Sequence, residues 1–492
     1  MRKSCTAIVF FSAILSASGA KAQTNPCLSN IVYTPFQTSG AKAASTSVAC
    51  AVPQVYSRNG IYSDATTEAP VLHLQLPGAP LTGATIAFND YLTPLNKDIA
   101  TSIALLPVVS PAAGISFIFD PALGVFSAST DGFGPIFSER ASTIGRHRLS
   151  IGASYQYQSF SSLDGVNLRS FPTVYLQQLP NPTVCSSDPN ETGQCAGLRD
   201  YLVATNRIDL KIHQINTFVS FGVTRNFDIS ISVPLMDVRM AATADTRVVL
   251  NDDGFNFLSL ISNQFFPCAT VTVGQLCLHQ IFSNAQHAFG VGDITLRAKA
   301  HIKSWEHAGL AVGLDVRIPN GDALNFLGSG AVGIRPFVVW SHGGRISPHI
   351  NLGYQWNGKS ILGQDVTTGT KGSLPGDLLY SVGAEASIVR RLTATFDLVG
   401  QRLFNTTVDS LTQVQVPGDR CSGCSPAVPA PSYPVTTIAS STSSYGINNA
   451  ALGVRFNPFG RLLVSANVQL KLDNGGLRSK AIPLVSATYT FQ

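Results

Sequence analysis

Ser347, His349 and Asn351 recur at every second position and so project from one face of a strand, the arrangement in which a serine, a base and an amide could act together. A nucleophile of this kind needs its base within hydrogen-bond reach and an oxyanion site beside it, and a lipid hydrolase would be the model. That face is the polar one, however, whereas a lipid would meet Ile346, Pro348 and Ile350 on the opposite side. Polar lining is the better account of the three, so no catalytic residue is assigned and the chain is not read as an enzyme.

Cysteine offers a second chemistry. Cys421-Ser-Gly-Cys424 is a lone CxxC, and with no second CxxC or clustered histidine pair it does not complete a zinc site, so neither metal nor cofactor is expected. The eight cysteines beyond residue 22 fall as neighbours: Cys27 and Cys50, Cys185 and Cys195, Cys268 and Cys277, Cys421 and Cys424. Many connectivities are open to eight thiols, and nearest-neighbour disulfides in an oxidising compartment are the expectation drawn from spacing.

A third group is ionisable. Asp293, Arg297, Lys299, Asp315, Arg317, Arg335, His349, Glu385, Asp397 and Arg455, with Asp228, His301 and Lys471, sit on the polar side of stretches whose other side is apolar. Leu310, Val312, Leu314, Val316 and Ile318 alternate with Ala311, Gly313, Asp315 and Arg317, and the pattern returns at 346–356 and 462–472. Each such stretch is a strand with one apolar and one polar face.

The elements that carry these residues are too long for a soluble sandwich. Strands are expected at 147–159, 208–223, 227–240, 292–303, 308–319, 331–341, 345–356, 378–388, 392–402, 445–456, 461–472 and 481–491. Sandwich strands average about 5–6 residues, whereas a tilted path through a bilayer takes about 9–11. Short turns at 224–226, 304–307, 342–344, 389–391 and 457–460 alternate with longer connections at 160–207, 241–291, 320–330, 357–377 and 403–444. That rhythm predicts an all-β fold, an antiparallel transmembrane β-barrel of about 12 strands. Three cysteine pairs then lie one each in outer loops, and Phe160, Phe221, Phe227, Trp305, Trp340, Trp356, Phe456 and Phe459 lie near strand ends, as interfacial girdles do.

Composition agrees. Charged residues make up 12% and hydrophobic ones 45% of 492 residues, with a mean hydropathy of +0.19, so apolar surface is covered without a charged exterior. Arg2 and Lys3, the apolar run from Ala7 to Leu15 and the small residues Ala20 and Ala22 read as a signal peptide over 1–22. Its removal takes three bases and no acid, leaving a formal charge of +2 and no basis for nucleic-acid binding. The expected destination is the outer membrane of a Gram-negative bacterium, with outer-membrane lipid as a partner. The C-terminal strand ending Tyr489-Thr-Phe491-Gln492 is the expected handle for the barrel assembly machinery.

Residues 23–144 lack spanning stretches and are read as an N-terminal periplasmic or plug segment, with 145–492 forming the barrel. A helix is expected over Asp98 to Leu106, closed by Pro107, and a small hairpin over Ile115 to Ser127. If that hairpin joins the wall, the barrel has 14 strands instead.

The run from Gly134 to Tyr157, which contains Ser138-Glu139-Arg140-Ala141, resembles the family labelled "putative MetA pathway of phenol degradation". So do Gly290-Val-Gly292-Asp293 and Val316-Arg-Ile-Pro319-Asn-Gly321-Asp322. The resemblance covers roughly residues 110 to 492 and implies a transporter-like barrel linked by name to uptake of phenolic or other aromatic compounds. It brings no substrate-contact residues. The expected function is an outer-membrane channel or transporter for passive uptake of a small-molecule solute, aromatic and hydrophobic compounds included, with the ten ionisable residues named first above along the pathway. The plainer possibility is an interior filled by paired charges that conducts little. The other alternative is a structural or adhesive barrel with disulfide-bearing outer loops.

Overall fold

A computed structural model describes residues 47–52, 73–75, 89–106, 117–120, 125–128, 138–178, 201–249, 279–363, 371–389, 391–417, 432–459 and 461–491. The signal-peptide reading and seven of the eight paired cysteines fall outside the described residues, and of Cys50 only the backbone is described.

Twelve strands form the wall: β1 Leu149–Leu163, β2 Tyr201–Gly222, β3 Phe227–Val249, β4 in two runs, His279–Val291 and Ile294–Ser304, β5 Ala308–Ile318, β6 Gly333–His342, β7 Ile346–Asn357, β8 Asp377–Val389, β9 Leu392–Pro417, β10 Ser432–Phe459, β11 Leu462–Lys471 and β12 Ala481–Phe491. Each pairs antiparallel with its neighbour in sequence, and β12 returns to β1 in register from Leu484↔Gln156 to Phe491↔Leu149. The sheet is therefore a closed barrel. Among the described strands of the wall no edge is left whose amides would face hydrocarbon unpaired.

The 14-strand alternative fails. Phe117–Asp120 and Val125–Ala128 pair with each other as a separate two-stranded sheet, four residues each, far below spanning length. The expected helix is also longer than its sequence signal: α1 runs Asn89–Ala104 and continues through Pro94. Proline reads as a breaker because it removes an amide, but burial of Leu95, Ile99 and Ile103 outweighs that loss here.

Several strands outrun the bilayer. β2 and β3 have 22 and 23 residues, β9 and β10 have 26 and 28, so the ladders continue past the loop end of the barrel. Stretches such as 403–417 are expected to be loop because polar residues stand on both faces of their sequence and the apolar alternation fades, yet backbone pairing persists and Thr406, Asp409, Thr437 and Ile438 are buried. Along the wall Ile151, Val219, Leu314, Val338, Leu352, Leu398, Val454 and Val485 stand exposed, an apolar belt of the kind that a transmembrane barrel turns outward. Trp305 and Trp356 are exposed at its two ends, but Phe160, expected in the same girdle, is buried and packs inward with the apolar cluster.

The N-terminal segment lies inside. Val48, Ala49, Ala51 and Val52 and the buried face of α1 join Phe160, Phe171, Ile208, Leu210, Ile212, Met240, Phe282, Phe326 and Ile438 in one apolar cluster filling the loop-end half of the lumen. The connection after β5 also folds inward. Its Asn325 Oδ1 accepts from Val48 N at 3.1 Å, while Asn96 Nδ2 donates to Ala49 O at 3.1 Å. Residues 138–146 lie across the short-turn end before β1 begins, with Ile144 N on Asp228 Oδ2 and Thr143 Oγ1 on Arg225 O.

Two predictions follow from these placements. Leu314 is 42% exposed on the lipid side. Leu314→Lys should therefore cost about 2–4 kcal/mol in folding into vesicles if it lies near the midplane, and a harmless Leu314→Lys would invert the assigned faces. Asp98 of α1 is fully buried; burial, with Asp164 and Asp409 alongside, holds its carboxyl well above the ordinary carboxylate range. A docked helix that prefers the protonated acid loses stability as pH rises from the ordinary carboxyl range through that raised value. Hydrogen exchange of the α1 amides should quicken with alkalinity, beyond its intrinsic pH dependence, in the native chain and not in Asp98→Asn; the same pH trend in both would dismiss the argument.

Candidate functional site in the barrel lumen

Strand alternation aims one side chain in two at the lumen, and near the short-turn end these are charged. Register places Arg297, Asp315 and Arg335 directly opposite one another on β4, β5 and β6. Arg297 Nε and Nη2 donate to Asp315 Oδ1 and Oδ2 at 2.6 and 2.7 Å, and Arg335 Nε donates to Oδ2 at 2.9 Å. One carboxylate thus serves two guanidiniums, each charge-assisted bond being stronger than a neutral one. The Arg297 guanidinium also lies 5.0 Å from the centroid of the Phe337 ring, within cation–π range.

A second cluster spans β7 to β10. His349 Nε2 lies 2.5 Å from Asp397 Oδ1 although their strands are not adjacent. Gly383 sits between them in register, and a Cβ there would fall 2.3 Å from Asp397 Oδ1 and 2.8 Å from His349 Nε2, so glycine is what lets them meet. Glu385 is buried on the same side, and Arg455 is buried against Glu385 and Asp397.

The strap Ser138–Ala141 joins both clusters. Glu139 forms ion pairs with Arg297 Nη1 and with Lys299 Nζ, the latter at 3.4 Å. Arg140 Nε and Nη2 donate to Glu385 Oε1 and Oε2 at 3.1 and 3.0 Å. Ser138 Oγ lies 2.7 Å from Ser381 Oγ and 3.1 Å from Asp397 Oδ1. The strap backbone is held as well: Asn351 exchanges bonds with Glu139 N and O at 3.0 and 3.2 Å, Ala141 N donates to Ser341 Oγ at 3.0 Å, and Ile144 N donates to Asp228 Oδ2 at 2.9 Å. Lys299 Nζ donates to Arg140 O and Ser142 O at 3.3 and 3.0 Å.

All ten ionisable residues expected on the lumen side are there, but they do two jobs. Arg297, Lys299, Asp315, Arg335, His349, Glu385, Asp397 and Arg455 form the layer around the strap. Asp293, in the break of β4, instead pins the inward-folded connection, accepting from Gly321 N at 3.0 Å, Ser329 N at 2.7 Å and Ser329 Oγ at 2.5 Å. Arg317 donates to Ala104 O, at the C-terminus of α1, at 3.1 Å and to Asn357 Oδ1 at 2.7 Å. A cation at a helix C-terminus complements its carbonyls and dipole.

Glu139 and Arg140 lie within the Gly134–Tyr157 motif, and sequence reasoning assigns them no role. The available signal was a charged pair just ahead of the first strand in a segment otherwise poor in charge. Ser347, His349 and Asn351 take separate partners: Ser347 Oγ donates to Gly344 O at 2.8 Å, His349 meets Asp397, and Asn351 holds the strap. These contacts account for the three polar groups without hydrolytic chemistry.

Between the end of α1 and the wall lies a cavity of about 40 Å³, lined by Ser102, Leu105 and Leu106 on the helix side and by residues of β1, β9, β10, β11 and β12 with Leu477, Arg478 and Ser479 on the wall side.

Neutralising Asp315 leaves Arg297 and Arg335 buried with their shared counter-charge gone. Asp315→Asn should therefore destabilise the folded barrel by about 3–5 kcal/mol, the scale for breaking a buried pair, as measured by urea unfolding in vesicles. A change under about 1 kcal/mol, the scale of an exposed pair, would show that water already screens the layer.

No curated protein matches the chain in sequence. Among solved structures it is similar to an outer-membrane channel from Pseudomonas putida F1, at 10% identity and a TM-score of 0.40, over 73% of this chain and 100% of the other. It is also similar to a FadL homologue from Pseudomonas aeruginosa (12%, TM-score 0.28, 77% and 96%) and to the toluene transporter TbuX of Ralstonia pickettii (10%, TM-score 0.26, 79% and 100%). Residues 212–412, which run from β2 into β9 and carry the Gly290–Asp293 and Val316–Asp322 motifs, match the family described as "Putative MetA-pathway of phenol degradation", and over that part of the wall the resemblance is shown.

Proposed function

We propose that the protein is an outer-membrane transporter for passive passage of small molecules, aromatic and hydrophobic ones included, whose N-terminal segment closes the lumen. The observation that carries this reading is what fills the barrel. Wall side chains alone do not occupy it: the ring holds α1 and the strap as well, and a helix with its side chains is about 10–12 Å across. A barrel needing only to be solid could be closed by its own wall residues, as small barrels are.

The strap's ties are polar and non-covalent, so they can exchange for water or solute without loss of the wall's backbone ladder. Opposed acids and bases across the strap region would set a transverse field on the pathway once it opens. In this reading the short turns face the periplasm, outer-membrane lipid covers the apolar belt, and the assembly machinery receives β12, the strand that closes on β1. The projecting ribbons of β2–β3 and β9–β10 favour a second reading, a surface-binding barrel, in which the interior would stay shut.

Conductance in planar bilayers and solute uptake by liposomes separate the two. The double variant Glu139→Gln, Arg140→Gln should conduct at least several-fold more than the native chain and admit phenol and sugars faster. Failure of any solute or ion to cross with either protein, both being folded, would leave the surface-binding reading.

A further inference from the structure

The two ends of the barrel wall carry charge differently. Toward the loop end, bases on β2 and β3 each have an acid two positions before them: Lys211 Nζ lies 3.1 Å from Asp209 Oδ2, Arg239 Nη2 2.9 Å from Asp237 Oδ2 and Arg247 Nε 3.8 Å from Asp245 Oδ1. The short-turn end has no such compensation. Arg146 stands exposed ahead of β1, Arg225 in the turn from β2 to β3, Lys303 at the end of β4, and Arg345, Arg391 and Arg461 just ahead of β7, β9 and β11. Among the described residues of these turns the exposed acid is Glu306, which lies 3.8 Å from His307 Nε2. Each place where the chain crosses this end therefore presents a base, and the bases encircle it.

These bases sit where the apolar belt stops. Ile302, Ile346, Ile388 and Val389 are exposed close along the chain to Lys303, Arg345 and Arg391. Lys303 Nζ also lies 5.2 Å from the centroid of the exposed Trp305 ring, a cation–π contact on an aromatic of the interfacial kind. Whatever meets both features must be apolar on one side and anionic on the other.

Spacing narrows the partner further. Successive turns are two strands apart, at least about 9–10 Å around the ring, so the bases do not converge on one anion as they would in a closed phosphate pocket. Many small anions laid side by side around the circumference fit, whereas an acidic protein surface would engage only one arc. We propose that the short-turn rim is a docking ring for anionic lipid headgroups, the phosphodiesters of the leaflet on that side of the membrane. This rests on the reading that lipid covers the belt and is independent of transport. A base beside an anionic membrane surface is worth about five-fold in affinity, so the ring fixes the depth of the wall at that interface while the self-paired charges of the other end do not.

The test is tryptophan quenching in the full-length protein, whose three tryptophans are Trp305, Trp340 and Trp356. One variant keeps only Trp305 (Trp340→Phe, Trp356→Phe) and another keeps only Trp356, at the opposite end of the wall (Trp305→Phe, Trp340→Phe). Each is folded into vesicles of mixed phosphatidylcholine and phosphatidylglycerol, with bromine on the acyl chains of one lipid or the other. At Trp305 the anionic lipid should be preferred at least about five-fold in low salt, and the preference should fall below about two-fold near 0.5 M salt, where the screening length is about 4 Å. Trp356 should show no preference. Adding Arg225→Gln, Lys303→Gln and Arg345→Gln, on the Trp305 turn and its two neighbours, should abolish the preference at Trp305 in a barrel that still folds. Equal quenching by both lipids at Trp305, or the same preference at Trp305 and Trp356, overturns the ring. Equal quenching with salt-sensitive binding of soluble polyglutamate would overturn it in favour of an acidic protein partner. Failure to enter vesicles of either lipid would overturn the membrane reading itself, and the ring with it.

Discussion

The pairing of β12 with β1 is the contact on which the rest depends. Inside a bilayer an unpaired amide or carbonyl costs several kcal/mol, so a sheet survives there only when its first and last strands find each other. Here they meet over Leu149 to Gln156. Closure makes every strand two-faced in a fixed sense. The outer face must be apolar, and the inner face is left to be satisfied by whatever the ring encloses.

What it encloses is a graded interior. Toward the loop end the wall itself turns apolar inside, through Phe160, Ile208, Leu210, Ile212 and Met240, and these bury against α1 and the Val48–Val52 turn. Toward the short-turn end the inner face is ionic, and its charges are compensated by each other and by Glu139 and Arg140. A buried ion pair gives little net stability relative to a well-packed apolar one, but removing one partner is expensive. The strap is therefore specified more sharply than it is stabilised: Glu139 and Arg140 fit only where Arg297, Lys299 and Glu385 converge. An apolar helix at one end and a salt-bridged strap at the other leave the same segment docked by two forces of different solvent and pH sensitivity.

The three motifs that carry the sequence resemblance converge on this enclosed chain. Ser138 to Ala141 forms the strap. Asp293 of the second motif receives Gly321 N of the third. A Cβ on Gly321 would approach within 2.7 Å of Leu327 O, and one on Gly292 within 2.8 Å of the same atom, so these glycines let the connection after β5 lie against the break in β4. The connection then grips the N-terminal turn through Asn325. Short motifs far apart in sequence are thus parts of one device, the holding of a segment inside a ring.

The sequence by itself determined the wall. A period of two, stretches of ten or more residues and the alternation of short and long connections are local properties, written at each position by which solvent it meets, and all twelve strands and the lumen side of the ten ionisable residues follow from them. It could not say which lumen charges pair. Arg297, Asp315 and Arg335 are separated by whole turns in sequence and become neighbours only through register, and His349 reaches Asp397 only because Gly383 between them has no side chain. Nor could it mark the projecting ends of β9 and β10, where the buried face is largely polar, through Thr406, Asp409 and Thr437, and the alternation is lost, or the inward fold of the connection after β5, whose Leu324, Phe326 and Leu327 find apolar partners only once Val48 is beside them. Those decisions belong to tertiary structure, because burial inside a closed ring depends on which distant segments arrive there together.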